Sequence, residues 1–350
     1  MNDTFLKACR GEEVPYTPIW IMRQAGRYLD QYQNVRKKVD FLTLCKTPDL
    51  AAEVTIQPVD ILNVDAAILF SDILIPCEAM GMNLEFQESS GPVLSPAARD
   101  KNSIDGLSVP DPEDKMKFVM DTIRILRKEL TGRVPLIGFA GAPFTTATYM
   151  IEGGTSKNIL NTKRMIYENP DLYKSLMDKI TAAITGYLKA QVSAGAQAVQ
   201  IFDTWGGIFS PGDFREYALS YVIKIIEELK KWMKTENHEH VPIIYFVGET
   251  AGILEEIRTS GADVCGVDWR INIDDAIKRL GGDVVVQGNL DPLSLFLPQD
   301  RIEERVKDVL SRASSAPGHI FNLGHGVVPQ TPPDNVIALV EMVHRLSKKQ

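Results

Sequence analysis

Eight short segments rich in Val, Ile, Ala and Phe, most of them apolar without alternation, constrain the fold of this chain more than any other feature. A strand with one face in water alternates apolar and polar residues, whereas a strand buried on both faces is apolar throughout. Both faces are covered when helices pack on either side of a parallel sheet. The segments lie at residues 19–22, 65–70, 136–140, 198–202, 243–247, 263–267, 284–287 and 320–323.

Segments with helical periodicity separate these predicted strands. Apolar residues recur with a period near 3.6 residues most clearly at 170–193, 212–233 and 334–346. A strand followed by a helix, repeated eight times, is the pattern of the (β/α)₈ barrel, whereas a doubly wound sheet more often has fewer strands in a chain of 350 residues. We therefore predict an α/β fold with a single (β/α)₈ TIM barrel over residues 1–350. An excursion is expected at about 81–112, after the second strand.

The composition argues against several classes of protein. With 44% apolar and 24% charged residues the chain can form a sizeable core, and its net charge of −8 argues against a general nucleic-acid binder. No run approaches the roughly 18 to 20 apolar residues of a membrane-spanning helix, and the first residues lack the apolar stretch of a secretory signal. We expect a cytoplasmic protein with no membrane or nucleic-acid partner. Its four scattered cysteines fit reduced, structural thiols: Cys9, Cys45, Cys77 and Cys265.

A basic island interrupts this acidic sequence between residues 21 and 38. The net charge of the whole chain does not describe this stretch, where five cations accompany one carboxylate. An anionic small molecule is the kind of ligand that such a local charge attracts. The cations are Arg23, Arg27, Arg36, Lys37 and Lys38, and the single acid is Asp30.

The residues that follow each predicted strand are candidates for the active site, because (β/α)₈ barrels carry their active sites at the carboxyl ends of the strands. Arg23 and Arg27 follow the first strand; if the chain is helical there, they project from one face and each can fork a carboxylate. Asp72 follows the second strand, where it can act in catalysis, cap the next turn or pair with Arg23. His325 follows the last strand between two glycines, where functional and structural roles are equally open.

Motifs for other chemistries are missing from the sequence. There is no G-x-G-x-x-G after a strand, no G-x-x-x-x-G-K-[ST] and no G-x-S-x-G. A zinc site needs clustered cysteine or histidine ligands, and the sequence clusters neither. We therefore expect no metal site.

Six stretches of the sequence resemble the signatures of the uroporphyrinogen decarboxylase family. The two longest, PIWIMRQAGRY at 18–28 and DAAILFSDIL at 65–74, are the most specific. The remaining four are shorter, and the six together are distributed over nearly the whole chain. These four lie at 138–144, 149–153, 287–292 and 322–326.

The resemblance implies an activity. Members of that family are single (β/α)₈ barrels, usually homodimers, that convert uroporphyrinogen to coproporphyrinogen by removing four acetate carboxyl groups without a metal or organic cofactor. For this chain the resemblance therefore implies decarboxylation of uroporphyrinogen III to coproporphyrinogen III and CO₂ in haem biosynthesis, by a homodimer that uses no cofactor. The eight carboxylates of the substrate would also account for the basic island.

The resemblance implies substrate-binding roles at the positions that match the motifs of the family. Arg23 and Arg27 would bind substrate carboxylates, aided by the backbone of the three residues between them, and Arg36 belongs to the same group. Thr204 stands where the family often has serine, and it keeps the hydroxyl. The implied substrate-binding residues are Arg23, Gln24, Ala25, Gly26, Arg27, Arg36, Asp72, Tyr149, Thr204 and His325.

Three of these residues are also the implied catalytic residues. Asp72 would meet the pyrrole N–H groups at the centre of the macrocycle, and Tyr149 and His325 would line the pocket. Losing CO₂ from an acetate on a pyrrole needs an electron sink, which protonation of the ring supplies as a delocalised cation. A fixed carboxylate such as Asp72 stabilises that cation. The proton donor stays open among an arginine, Tyr149, His325 and water.

Two other functions are compatible with the same fold. One is a corrinoid-dependent methyltransferase that activates a thiol on zinc, a relative in the same barrel superfamily. It would need a His-x-Cys and a further cysteine at strand ends; residues 243–248 contain neither, and Cys265 alone cannot hold zinc. The other is an inactive barrel that binds tetrapyrroles, against which the presence of every expected polar group argues.

Overall fold

The computed structural model of the chain describes residues 2–87 and 91–349. Residues 88–90, which belong to the predicted excursion, and the two terminal residues of the predicted 1–350 domain lie outside the described residues. Nine strands are present in the described part. They are Ala67–Ile68 (β1), Asn83–Gln87 (β2), Gly91–Ser95 (β3), Leu136–Gly141 (β4), Ala198–Asp203 (β5), Ile243–Val247 (β6), Val264–Gly266 (β7), Val285–Leu290 (β8) and His319–Leu323 (β9).

Seven of these strands form one curled parallel sheet. Its order is β1-β4-β5-β6-β7-β8-β9, and every neighbouring pair is parallel. All residues of β4, β6 and β8 are buried. The prediction of parallel strands covered on both faces is therefore confirmed for seven of the eight segments, although the second is reduced to the two residues of β1.

The first predicted strand, 19–22, does not pair as a ladder. Ile19 makes a single parallel bridge to Phe321 of β9. The Phe321 N–H donates to the carbonyl of Pro18 (2.8 Å), and the Asp65 N–H donates to the carbonyl of Ile19 (2.8 Å). The segment therefore lies between the two edges of the curled sheet and is hydrogen-bonded to both sides, without meeting the definition of a strand.

Helices cover the outer face of the sheet. None of the helices in the described residues is both long enough and apolar enough to span a membrane. The α-helices are Thr4–Cys9 (α1), Asp30–Arg36 (α2), Phe41–Lys46 (α3), Pro48–Leu62 (α4), Ile75–Ala79 (α5), Lys101–Asp105 (α6), Pro112–Lys115 (α7), Lys117–Glu129 (α8), Pro143–Glu152 (α9), Leu160–Glu168 (α10), Pro170–Ala194 (α11), Pro211–Phe214 (α12), Ser220–Thr235 (α13), Leu254–Ile257 (α14), Ile273–Arg279 (α15), Gln299–Arg312 (α16) and Pro333–Ser347 (α17).

Two of the three clearest predicted helices are continuous, and one is interrupted. The predictions at 170–193 and 334–346 correspond to α11 and α17 within one residue at each end. The prediction at 212–233 instead spans α12, a π-helical turn at Arg215–Leu219 and α13. The carbonyl of Tyr217, inside the π-turn, accepts a hydrogen bond from the hydroxyl of Tyr173 (2.6 Å). Periodicity alone does not report such a local change of hydrogen bonding.

The apolar core has two parts, one on each side of the sheet. The larger part lies between the strands and the covering helices. The smaller part lies inside the curl of the sheet, where α1 packs against apolar side chains of the strands. Its members include Phe5, Trp20, Ile137, Ala198, Ile244, Val264, Val285 and Ile320. Each strand from β4 to β9 thus contributes to both parts, which is why its sequence shows no polar alternation.

The predicted excursion is an antiparallel hairpin followed by a short helix. β2 pairs with β3 in a register that places Phe86 opposite Pro92. The ring of Phe86 lies 4.6 Å from the ring of Phe41, and Val93 makes an antiparallel bridge to Gly154. The hairpin is therefore fixed to the loops at the carboxyl ends of the strands.

A buried carboxylate joins the two ends of the chain at the opposite edge of the sheet. Asp65, which is 1% exposed, accepts hydrogen bonds from the Tyr16 hydroxyl (2.8 Å) and the Ile19 N–H (2.8 Å). It also accepts from the Asn2 amide (2.8 Å), and His344 of α17 lies 2.7 Å from its second oxygen. This carboxylate therefore holds the N-terminal segment and the last helix against β1.

Replacement of Asp65 tests this role. Asp65→Asn keeps the size of the side chain but supplies one acceptor oxygen in place of two, so it leaves buried donors unpaired. We expect the free energy of unfolding to fall by about 2 kcal/mol. Asp60→Asn is the matched control, because Asp60 is exposed and pairs only with Arg133 on the surface; its loss should stay below about 1 kcal/mol. Equal urea midpoints for the two variants would contradict the account.

Candidate active site

A cleft of about 1020 Å³ opens at the carboxyl ends of the parallel strands. Because those ends meet at one edge of the sheet, residues far apart in sequence line the same space. All ten residues of the predicted site border this cleft: Arg23, Gln24, Ala25, Gly26, Arg27, Arg36, Asp72, Tyr149, Thr204 and His325. The fold therefore brings these ten residues to one cleft.

The loop that carries the two arginines is not helical. The chain makes turns and bends from Met22 to Leu29, and α2 begins only at Asp30, so the helical condition for a shared face of Arg23 and Arg27 is not met. Arg23 has a φ of 65°, a left-handed conformation that costs a residue with a side chain about 1–3 kcal/mol. This conformation turns its side chain along the loop after β9. There a Cβ on Gly326 would lie 2.4 Å from Cδ of Arg23, so only glycine fits.

Gln24 anchors this loop from below. Its side chain is fully buried, accepts from the Ile21 N–H (3.0 Å) and donates to the carbonyl of Ala66 (3.1 Å). The carbonyl of Gln24 in turn accepts from the Tyr28 hydroxyl (2.8 Å). The side-chain amide of Gln24 is therefore occupied by hydrogen bonds within the protein, and its backbone N–H also donates to the carbonyl of Ile21 (2.8 Å).

The rim formed by Arg23 and Arg27 carries positive charge that the protein does not neutralise. Both side chains are exposed. Among residues 2–87 and 91–349, no carboxylate oxygen lies within salt-bridge distance of either guanidinium. Arg36 donates to the carbonyl of Val39, which accepts without adding a charge. The rim is thus a local cationic surface in a protein of net charge −8.

Asp72 lies in the cleft wall, and the pKa of its carboxyl is raised. One carboxylate oxygen accepts from the Leu74 N–H (2.8 Å), so the residue caps the turn that follows β1 and also borders the cleft. Removal from water raises the pKa from 3.8 to about 6, against the lowering effects of the Leu74 hydrogen bond and the charge of Arg23. The cleft therefore holds a carboxylate that is poorly solvated yet ionised at neutral pH.

Two neutral groups complete the polar lining. Burial, followed by the charge of Asp72, raises the pKa of Tyr149, so its hydroxyl keeps its proton. Burial, followed by the charges of Arg23 and Arg270, lowers the pKa of His325 to about 4. At neutral pH the cleft thus contains a phenol and an uncharged imidazole, and its positive charge comes from the arginines.

Aromatic residues that the sequence analysis did not select form the walls of the cleft. Phe41 and Phe86 pack against each other on one side of the cleft, with their rings tilted. Phe139 and Phe202, with ring centroids 5.7 Å apart, lie near the carboxyl ends of β4 and β5. A signal was available for the second pair, since Phe139 is the second-last residue and Phe202 the last residue of its predicted strand. Phe86 comes from the hairpin, whose position over the cleft depends on tertiary packing.

The described residues contain no group of three or more histidine, cysteine, aspartate or glutamate side chains that could hold a metal ion. Cys265 is buried in β7, and burial raises the pKa of its thiol to about 12. A thiol of that kind is a poor metal ligand, because the thiolate is the form that binds. The part of the chain that the structure describes therefore offers no ligand set for the zinc methyltransferase interpretation.

These features define a class of protein: a TIM-barrel-like α/β protein with an arginine-rimmed cleft at the carboxyl ends of its strands. The family model described as "Uroporphyrinogen decarboxylase (URO-D)" matches residues 1–346. Curated proteins named uroporphyrinogen decarboxylase match over the full length. The one from Geobacter sulfurreducens is 55% identical over 349 residues, covering 100% of both chains, and the one from Carboxydothermus hydrogenoformans is 50% identical, covering 99% of this chain and 97% of its own. The chain belongs to the uroporphyrinogen decarboxylase family, a family of carboxy-lyases.

Solved structures with low sequence identity share the fold. A methyltransferase from Methanosarcina mazei superposes with a TM-score of 0.80 at 20% identity, covering 99% of this chain and 98% of its own. A B12-independent methionine synthase from Shewanella sp. W3-18-1 gives a TM-score of 0.56 at 13% identity, covering 85% and 88%. At these identities the likeness concerns the fold alone.

The raised pKa of Asp72 predicts a pH-dependent effect on stability. A carboxyl whose pKa rises on folding destabilises the fold wherever it is ionised in the unfolded chain; the cost grows between pH 4 and pH 6 and is constant above. Asp72→Asn should therefore raise the free energy of unfolding at pH 7 by up to about 3 kcal/mol, at about 1.4 kcal/mol per pKa unit.

Thermal midpoints of wild type and Asp72→Asn at several pH values measure this effect. The gain should shrink as the pH falls from 6 toward 4, whereas Asp60→Asn should show no such gain. A variant that is less stable than wild type at pH 7 would mean that the Asp72 carboxylate stabilises the fold instead.

Proposed function

We propose that this chain catalyses the decarboxylation of uroporphyrinogen III to coproporphyrinogen III and CO₂, a step of haem biosynthesis, without a metal or organic cofactor. The observation that carries the proposal is the pairing of one desolvated carboxylate, Asp72, with an unneutralised arginine rim in a single cleft. Membership of the uroporphyrinogen decarboxylase family names the substrate that such a cleft would receive.

The arginine rim would bind the carboxylates of the substrate. Arg23, Arg27 and Arg36 each carry a planar guanidinium that can hold a carboxylate by two parallel hydrogen bonds. The backbone of Gln24, Ala25 and Gly26 lies between the first two arginines and borders the same cleft. Because the rim has no carboxylate partner among the described residues, binding would not first require breaking an internal ion pair.

Asp72 would stabilise the charge that develops on the pyrrole. A proton added to a ring carbon makes the ring cationic; the bond between the side-chain methylene and its carboxylate then breaks, CO₂ leaves, and the electron pair neutralises the ring. A proton then adds to the methylene carbon and the ring proton leaves, so each cycle consumes one proton. A carboxylate near the ring nitrogens lowers the energy of the cation most in a site with little water.

The remaining lining residues would orient the macrocycle. Tyr149 and His325 are neutral in the free protein and can form hydrogen bonds without a change of charge. Thr204 offers a hydroxyl at the same cleft. The phenylalanines of the walls would contact the apolar faces of individual pyrrole rings, while the charged side chains of the macrocycle reach the arginines.

We also propose that the sheet closes as a (β/α)₈ barrel in one domain over residues 1–350. The hydrogen bonds of segment 18–22 to both β9 and Asp65 support closure, and the continuous apolar core supports a single domain. A homodimer in the cytoplasm follows from the family resemblance and stays a prediction.

Each of the two alternative functions predicts a result that differs from that of a decarboxylase. A zinc-dependent methyltransferase would contain stoichiometric zinc after purification. An inactive tetrapyrrole-binding barrel would bind uroporphyrinogen tightly and release no CO₂.

Anaerobic incubation of chelator-treated protein with uroporphyrinogen III tests the proposal. We expect CO₂ release and a series of products with seven to four carboxyl groups. Asp72→Asn should reduce kcat by at least about 100-fold, because it removes the carboxylate that opposes the ring cation, while the surface variant Asp60→Asn should keep wild-type turnover. A folded wild type that binds the substrate without releasing CO₂ would sink the proposal.

A further inference from the structure

A further buried carboxylate, that of Asp203, lies behind the cleft wall and has no role in the reaction described above. Asp203 ends β5 and is fully buried. One of its oxygens accepts from the Thr145 hydroxyl (2.6 Å), and the other accepts from the Tyr245 hydroxyl (2.9 Å). Both donors are neutral, so the carboxylate is held by hydrogen bonds without a cation.

This carboxylate is linked to the cleft through one turn of helix. Thr145 lies on α9 four residues before Tyr149, so both side chains are on the same face of that helix. The Thr145 hydroxyl oxygen also accepts a hydrogen bond from the backbone N–H of Trp205, at 3.4 Å. The ring of Trp205 stacks on the ring of Tyr149 with centroids 4.5 Å apart. A connected set of contacts, called the circuit below, therefore runs from the core to the cleft through Asp203, Thr145, Trp205 and Tyr149.

The fold accommodates this carboxylate at a cost. Burial raises the pKa of Asp203 to about 6. Replacing a buried carboxylate and its hydrogen-bond donor by two apolar side chains of similar shape often leaves a protein at least as stable. A Cβ on Gly206 would lie 3.1 Å from the Asp203 carboxylate and 2.7 Å from Val247, so the loop after β5 passes close by only because this residue is glycine. A role beyond stability would explain why a group this costly sits here.

We propose that Asp203 is a positioning residue, which fixes the Tyr149 ring at the cleft through Thr145 and Trp205. The inference rests on the proposed function, since it assigns a task to Tyr149 in that reaction. The carboxylate ties α9, through Thr145, to the end of β5, and its other oxygen is held by Tyr245 of β6. The Thr145 oxygen that donates to it also accepts from the backbone N–H of Trp205, which holds the loop after β5 against α9. The Tyr149 ring, which lies on α9 against the Trp205 ring, is then held in one orientation toward the substrate.

The first test removes one hydroxyl from the circuit. Thr145→Val keeps the shape of the side chain but breaks both hydrogen bonds of the Thr145 oxygen. Thr148→Val is the matched control, because Thr148 is equally buried on α9 and its hydroxyl only donates to the carbonyl of Phe144 in the same helix. We expect Thr145→Val to lower kcat by about tenfold with KM changed less than about twofold. Thr148→Val should retain wild-type values, and Thr145→Ser should restore most of the lost kcat.

The second test asks whether the effect passes through Tyr149. In a Tyr149→Phe background the phenol is absent, so misplacing the ring should cost little further activity, and Thr145→Val should lower kcat by less than about twofold. A full tenfold loss in that background would show that Thr145 acts by another route and would overturn the inference.

A spectroscopic readout separates this inference from the proposed function. Protein labelled with 5-fluorotryptophan has four tryptophans, and Trp205→Phe assigns the resonance of Trp205. Thr145→Val should shift that resonance and Thr148→Val should leave it in place, whether or not the protein decarboxylates uroporphyrinogen. An unshifted resonance in Thr145→Val would overturn the inference.

Asp203→Asn extends the test to the carboxylate itself. It should shift the Trp205 resonance in the same direction and lower kcat at least as much as Thr145→Val. If it does not fold, the Thr145 variants still decide the question. A wild type without any decarboxylase activity would overturn the proposed function alone, and the fluorine spectra would then decide whether the circuit holds the ring.

Discussion

The coverage of the parallel sheet on both faces is the constraint on which the rest of this structure depends. Strands such as β4, β6 and β8 are buried along their whole length, so polar side chains have no place within them that faces water. The few polar side chains within the strands, such as Gln200 and Gln287, are buried, and the charged residues of the cleft lie at or beyond the strand ends. Because parallel strands share one carboxyl edge, residues as distant in sequence as Arg23 and His325 meet at one cleft, while the opposite edge is free for structural groups such as Asp65.

Charge is distributed unevenly at this cleft, and each charge has a distinct physical setting. The arginines of the rim face water and lack a carboxylate partner among the described residues, which costs the protein little because water solvates them. Asp72 is in the opposite situation: it is ionised at neutral pH although burial disfavours the ionised form. A site that keeps a poorly solvated carboxylate beside a basic rim loses some stability in exchange for electrostatic stabilisation of a cation.

The sequence predicted the regular part of this architecture well, since burial on both faces leaves a direct trace in composition. Segment 243–247 was predicted to the residue, whereas segment 19–22 has the same apolar character but pairs through only one bridge. Apolar runs report burial, and they do not report whether a ladder forms. The loop that carries Arg23 and Arg27 is not helical, and its left-handed turn at Arg23 places that side chain against Gly326, about 300 residues away in the chain, which no local pattern reports.

The candidate site was predictable where its residues follow strands and hidden where they depend on packing between distant elements. All ten predicted residues border the cleft, but Phe86 reaches it from a hairpin, and the side chain of Asp203 is buried behind the cleft wall, where it is held by Thr145 and Tyr245 of two other elements. No spacing in the sequence reports such a link, because its partners are 58 and 42 residues away from Asp203.

The central claim is that the Asp72 carboxylate meets the centre of a reduced tetrapyrrole whose carboxylates lie on the arginine rim. A crystal structure of the wild-type protein with coproporphyrinogen bound under anaerobic conditions tests it most directly. We expect Asp72 oxygens within hydrogen-bond distance of the pyrrole nitrogens, and carboxylates of the tetrapyrrole paired with Arg23 and Arg27. A macrocycle bound outside the cleft, or one with its nitrogens turned away from Asp72, would contradict it.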